Sequence, residues 1–190
     1  MSTVTAVPIA PTRKRILVLL WIGIALAVVV GIGLAFRGTA GVVATRGTNE
    51  QFLAWNRRQA GVLETASGLQ YQVVKPGTGP ALPAGQVPVV MYIGHLRDGV
   101  TFDQSQRPVP MPPQAMIKGF GEGLRLMSKG AQFRFWMKPD LAYGDQSPSP
   151  TIPAGSLLVF DVIATDFVSE QALMQQMMQQ QQQGGGAQPH

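Results

Sequence analysis

The sequence has no cysteine, two histidines and only 13% charged residues among its 190 positions. Without cysteine there is no disulfide framework, zinc ribbon, iron–sulfur site or thiol nucleophile. His95 and His190 alone cannot make a conventional multi-histidine metal site, so no such metal site is expected. The missing cysteine leaves the compartment open, because reducing and oxidising environments both tolerate it. Sparse charge combined with 45% apolar residues excludes a wholly disordered chain, and the length suits one ordinary domain with extensions.

A net charge of +5 first suggests nucleic acid, and the placement of the charges removes that reading. Residues 1–65 carry seven basic and two acidic side chains, residues 66–168 carry eight and seven, and the tail adds only Glu170. The excess belongs to one N-terminal stretch and forms no patch on a folded domain, so no nucleic-acid partner is expected.

That stretch contains an uncharged run, ILVLLWIGIALAVVVGIGLAF, from Ile16 to Phe36. At about 1.5 Å per residue it measures roughly 31 Å as a helix, the thickness of a bilayer's hydrocarbon core. Arg13, Lys14 and Arg15 precede it and Arg37 alone follows closely. The positive-inside bias then puts residues 1–15 in the cytoplasm, 16–36 across the membrane as a transmembrane signal-anchor touching lipid, and the remainder outside. The competing reading is a cleaved signal peptide. Its apolar core is shorter, about 7–15 residues, and Ala35-Phe36-Arg37 is a poor cleavage site.

Residues 37–65 read as a juxtamembrane linker and a short helix. Thr48 and Gln51 fit a capping box, and a helix through Phe52, Leu53 and Trp55 would stop at Gly61. Residues 66–168 alternate like strands. Leu69, Tyr71 and Val73 form one alternating set, and Phe133, Phe135 and Met137 another. Val89–Leu96 and Leu157–Phe167 are longer apolar runs, and Asp98-Gly99 supplies a turn. Phe120–Met127 is the convincing helix, stopped by Gly130. The expected class is α+β, a helix covering one face of an antiparallel sheet. Residues 169–190 are Gln-rich and then Gly-rich, a helical extension fraying into a low-complexity tail.

Five consecutive segments, SGLQYQVVKPGTGP, VVMYIGHLRDGVTFDQS, MIKGFGEGLRLMSKG, KPDLAYG and IPAGSLLVFDV, occur in this order across the central region. Together they resemble the FKBP family of peptidyl-prolyl cis–trans isomerases, particularly its exported bacterial branch. The resemblance implies a twisted antiparallel sheet wrapped around one short helix, with an apolar pocket between them. It implies catalytic positions at Tyr92, Phe102, Asp103, Ile117, Phe120 and Tyr143. Substrate-binding walls would come from Val109 or Met111, Met116, Ile152 and Phe160. Phe120 stands at the floor where many members carry tryptophan, and Ala115 replaces a residue that is often polar. The activity implied is rotation about Xaa-Pro bonds of exported, unfolded or partly folded proteins, beyond a bacterial inner membrane, a reaction for which neither a metal nor a cofactor is expected. A macrolide inhibitor is a further candidate occupant. A non-catalytic chaperone using the same pocket is the alternative.

Read from the residues alone, Asp103 also fits an ordinary turn position, and Phe160 and Ile152 fit core as well as pocket. His95, in a strand without a second ligand, reads as structural.

Overall fold

The computed structural model describes residues 47–184. The apolar run 16–36, its basic flanks and the N-terminal part of the linker lie outside the described residues. Among the described residues no helix is long and apolar enough to cross a membrane.

The first element is α1 (Asn49–Asn56). Thr48 caps it reciprocally: its hydroxyl accepts from the Gln51 N–H at 3.3 Å, and its own N–H donates to Gln51 Oε1 at 3.0 Å. The helix ends at Asn56, earlier than the glycine signal suggests, and Gly61 instead occupies a turn at φ +79°. Phe52 buries itself against Trp136, Leu157 and Val159. Beside it, Asn56 Nδ2 donates to Gln70 Oε1 at 2.9 Å, and Gln70 Nε2 donates to the Leu53 carbonyl at 2.9 Å. Both amides are buried and satisfied by each other and by the helix, which fixes the docking angle of α1.

The main sheet comprises β1 (Val62–Glu64), β2 (Gln70–Lys75), β4 (Gln86–Leu96), β5 (Thr101–Gln104), β6 (Val109–Pro110), β8 (Gln132–Met137) and β9 (Leu158–Ser169). Its antiparallel order is β1-β2-β8-β9-β4-β5, with β6 also on β4. The alternation in the sequence locates the long strands. It does not disclose β1, β6 or a small second sheet of β3 (Thr78–Ala81) and β7 (Ser128–Lys129). All four are short, β3 and β6 carry proline, and β3 finds its partner about fifty residues away, beyond the reach of local pattern.

Against the inner face lies α2 (Lys118–Leu126). Met127 already has extended backbone and ends it, so Gly130, at φ +80°, serves the turn into β8 rather than stopping the helix. Phe120 and Leu124 project into the core with Phe135, Leu158 and Val162. Each buried side chain of this kind contributes about 1.5–3 kcal/mol. Gly123 brings the helix close to the sheet, since a Cβ there would lie 2.7 Å from the Phe135 ring. A final helix, α3 (Glu170–Gly184), continues from β9.

Candidate functional site

Beyond a register shift at Val89–Val90, β4 pairs Tyr92 with Val162 and Gly94 with Phe160 of β9 on the inner face. β5, hydrogen-bonded to the other side of β4, sets Asp103 opposite Gly94. A 3₁₀ turn at Pro113–Ala115 leads through extended Met116 and Ile117 into α2, which delivers Phe120 one turn later. A second 3₁₀ turn, Pro139–Leu141, releases the loop that carries Tyr143.

These pieces enclose a hollow of about 340 Å³ lined by Tyr92, Asp103, Met111, Ala115, Met116, Ile117, Phe120, Tyr143 and Phe160. Three rings form its base. Phe120 and Phe160 have centroids 4.8 Å apart at 56°, and Tyr92 meets Phe120 edge-on at 6.0 Å. Phe120 is 3% exposed, so the floor is fixed by the core beneath it.

The polar groups of the hollow are few and directional. The Tyr92 hydroxyl donates to Asp103 Oδ2 at 2.7 Å. Burial pushes the Tyr92 phenol up, and the Asp103 carboxylate accepting its proton pushes it further, to about 12. Tyr143 lines the hollow while remaining 37% exposed. Among the described residues nothing accepts from the Ile117 N–H, which precedes the helix. The hollow thus offers two donors, one amide and one phenol, above an aromatic floor.

Of the residues singled out by resemblance, eight therefore line one hollow. Met111, not Val109, occupies the wall; Val109 is spent pairing with Val90 in β6. Phe102 and Ile152 lie outside the lining. Phe102 stands edge-on to Phe160 at 5.4 Å and 82°. Ile152 is buried in the core at 6% exposure. Depth decides both cases, and periodicity does not report depth.

Ser105 has a positioning role that sequence reasoning missed. Its Oγ accepts from the Tyr92 N–H at 2.9 Å and its N–H donates to the Tyr92 carbonyl at 3.0 Å, pinning the backbone that carries the phenol. A serine two residues after a strand aspartate carries no signal of this by itself.

His95 sits on the other face. Its Nε2 lies 3.3 Å from Asp161 Oδ2, and Asp161 takes two bonds from Arg134, at 2.6 and 2.9 Å. Burial pushes Asp161 up, but the Arg134 guanidinium and His95 together outweigh it and leave the carboxyl below its ordinary range.

The comparisons agree with this architecture. Residues 79–163 match the model of the FKBP-type peptidyl-prolyl cis-trans isomerase, and residues 40–73 match the domain amino-terminal to it. An FKBP-type isomerase, FkpA, of Aeromonas hydrophila is 44% identical over 116 residues, 60% of this chain and 43% of that protein. The FKBP-type 22 kDa isomerase of Escherichia coli is 39% identical over 116 residues, 59% of this chain and 56% of its own length. The chain spans about half the length of the curated relatives it matches. The crystal structure of FkpA from Escherichia coli superposes with a TM-score of 0.60 at 28% identity, over 83% of this chain and 74% of that one. A peptidyl-prolyl isomerase structure from Pseudomonas syringae pv. tomato superposes with a TM-score of 0.60 at 32% identity, over 63% of this chain and 90% of that one. With nearly all of that solved relative covered and the motif order intact, the chain belongs to the FKBP-type peptidyl-prolyl cis-trans isomerase family.

Proposed function

We propose that the domain accelerates cis–trans isomerisation of Xaa-Pro bonds in partly folded proteins, using the hollow between β4, β5, β9 and α2. The carrying observation is the convergence of Phe120, Tyr92, Phe160, Tyr143 and the Ile117 N–H on one cavity. Rotation about a peptide bond costs about 18–20 kcal/mol because it breaks amide resonance. Unaided prolyl bonds exchange over ~10–100 s. A thousandfold acceleration requires binding the twisted amide about 4 kcal/mol better than the planar one.

The planar amide is the more dipolar form, so water favours it and an apolar hollow does not. In this reading the proline ring lies on Phe120 and excludes water. The Ile117 N–H and the Tyr143 hydroxyl hold substrate carbonyls. The Asp103 carboxylate, held by the Tyr92 hydroxyl, presents its negative charge to the rotating carbonyl carbon. No proton is transferred, so Asp103 is not a base. The same hollow is the place a macrolide inhibitor would occupy.

The full chain in detergent should shorten the exchange time of a short Xaa-Pro peptide relative to buffer. No shortening by a folded preparation overturns the reading. Asp103→Ala and Tyr143→Phe should each lower the rate more than they lower the unfolding midpoint. The non-catalytic alternative draws on Met111, a flexible wall. It predicts suppressed aggregation of unfolded chains with an unchanged isomerisation rate.

The apolar run 16–36 supports a second part of the proposal: an uncleaved anchor in a bacterial inner membrane, with the domain on the far side from the cytoplasm. Protease added outside spheroplasts should digest the domain. Protection from it overturns that topology, and a processed, membrane-free protein supports the cleaved-signal reading instead.

A further inference from the structure

β5 is the last strand in the order of the main sheet, and its two faces look into different spaces. Asp103, opposite Gly94, lines the hollow, whereas Gln104, opposite Ile93, lies on the outer face. There Gln104 and Ser105 border an open groove of about 250 Å³, with Val74, Met91, Ile93 and Ile163 among its walls. Tyr92 borders both spaces. The hollow and the groove are therefore neighbours across a single edge strand, although they lie on opposite faces of the sheet.

The groove crosses the strands rather than following one. Met91 pairs with Ile163 and Ile163 with Gln132, so the row steps from β4 to β9 to β8 and reaches Val74 on β2. From β5 to β2 the sheet order gives four strand spacings, about 19 Å in all, the span of about six extended residues. The walls are apolar and open: Val74 is 58% exposed, Ile93 45% and Ile163 38%. Asp161, the charged group of the lining, is already paired with Arg134, so the occupant that fits is an uncharged aliphatic stretch of extended chain. Continuity with the hollow says where it comes from. A polypeptide held by its proline in the hollow runs on beyond it, and a chain leaving past Asp103 meets β5. Crossing the edge of a sheet takes about 10 Å, or about three extended residues.

We propose that a substrate whose proline occupies the hollow crosses β5 and lays an aliphatic stretch of its own chain, about four to nine residues from that proline, along the outer groove. The inference rests on the isomerase reading of the hollow and adds a selection to it. Partly folded chains become the preferred substrates, because a folded protein buries its aliphatic stretches and offers none extended beside a proline. Groove contacts form alike with the planar and the twisted bond, so they lower KM and leave kcat unchanged.

Isomerisation by the full chain in detergent tests this with a short Xaa-Pro peptide, one lengthened on both sides with valine and leucine, and one lengthened with serine and glycine. The aliphatic peptide should show a KM about tenfold below the other two at equal kcat. Ile163→Gln and Val74→Gln, both at exposed positions, should raise that KM and leave the short peptide's kinetics unchanged. Equal KM for all three peptides, or a KM that neither substitution moves, overturns the proposal. The sequence has no cysteine, so thiol capture reads the groove without catalysis. A peptide with one cysteine in its aliphatic stretch should form a disulfide with Ile163→Cys about tenfold faster than with Leu63→Cys, on β1 and 51% exposed. Alanine in place of the peptide's proline should remove the difference. Equal capture at the two positions, or fast capture that ignores the proline, overturns the proposal. A short peptide left unaccelerated overturns the isomerase reading instead, and the capture rates still decide the groove.

Discussion

At the scale of single residues, the hollow depends on side chains that are absent as much as on those present. Gly94 faces it from β4, and a Cβ there would lie 2.8 Å from both the Phe102 and the Phe160 rings. Gly94→Ala must therefore displace Phe102, Phe160 or both, and we expect a loss of about 1–3 kcal/mol in urea unfolding together with a reduced isomerisation rate. Tyr92 gives a second test with a sign. Its folded-state pKa, about 12, stands above the ordinary 10. The stability it contributes is full below pH 10 and is lost as pH rises toward 12. Tyr92→Phe should flatten that alkaline loss and remove the late tyrosinate absorbance step, while costing at most about tenfold in rate, because the Asp103 bond is solvent-accessible. An unchanged alkaline slope would mean that another group carries it.

At the scale of elements, α1 belongs to the domain rather than to the linker. Its capping box starts it, Phe52 fills the space over Trp136 and Leu157, and the Asn56–Gln70 pair locks the angle. Phe52→Ala should cost about 3 kcal/mol of stability, at the lower end for such truncations because the cluster is peripheral. Isomerisation per folded molecule should stay within about twofold, since α1 and the hollow sit on opposite faces; a specific loss of rate at full stability would show coupling between the faces.

How much could be read beforehand follows from the same contacts. Thr48 and Gln51 announce α1, and the alternation at Phe133, Phe135 and Met137 announces β8, because local sequence determines both. The order of five motifs brings together Tyr92, Asp103, Ile117, Phe120 and Tyr143, whose separation along the chain no periodicity spans. Ser105 escapes because its contribution is made through the backbone of Tyr92. The places of Phe102 and Ile152 could not be read in advance, because an apolar residue beside a pocket and one lining it have the same chemistry.

At the scale of the whole molecule, the sheet divides the work: one face holds the hollow, the other meets the N-terminal chain, and the C-terminal extension leaves from a third place. β9 hands over to α3 where the Glu170 N–H donates to the Gly85 carbonyl, at the start of β4. Six residues of β4, about 20 Å, separate that point from Tyr92. Along α3, Met174, Met177 and Met178 are more than half exposed. Gln fills most of the remaining positions, so the helix presents a flexible thioether stripe in an uncharged setting. Removing residues 171–190 should therefore leave the unfolding midpoint and the isomerisation rate of a short peptide unchanged within error. A short peptide reaches only the hollow, whereas a long unfolded chain also reaches the stripe. If α3 adds a second foothold, the truncated protein loses acceleration only for long substrates, by the effective-concentration advantage that a tethered second site confers. Equal losses for short and long substrates would place the tail inside the catalytic unit, and no loss for either would leave the stripe without a part in substrate binding.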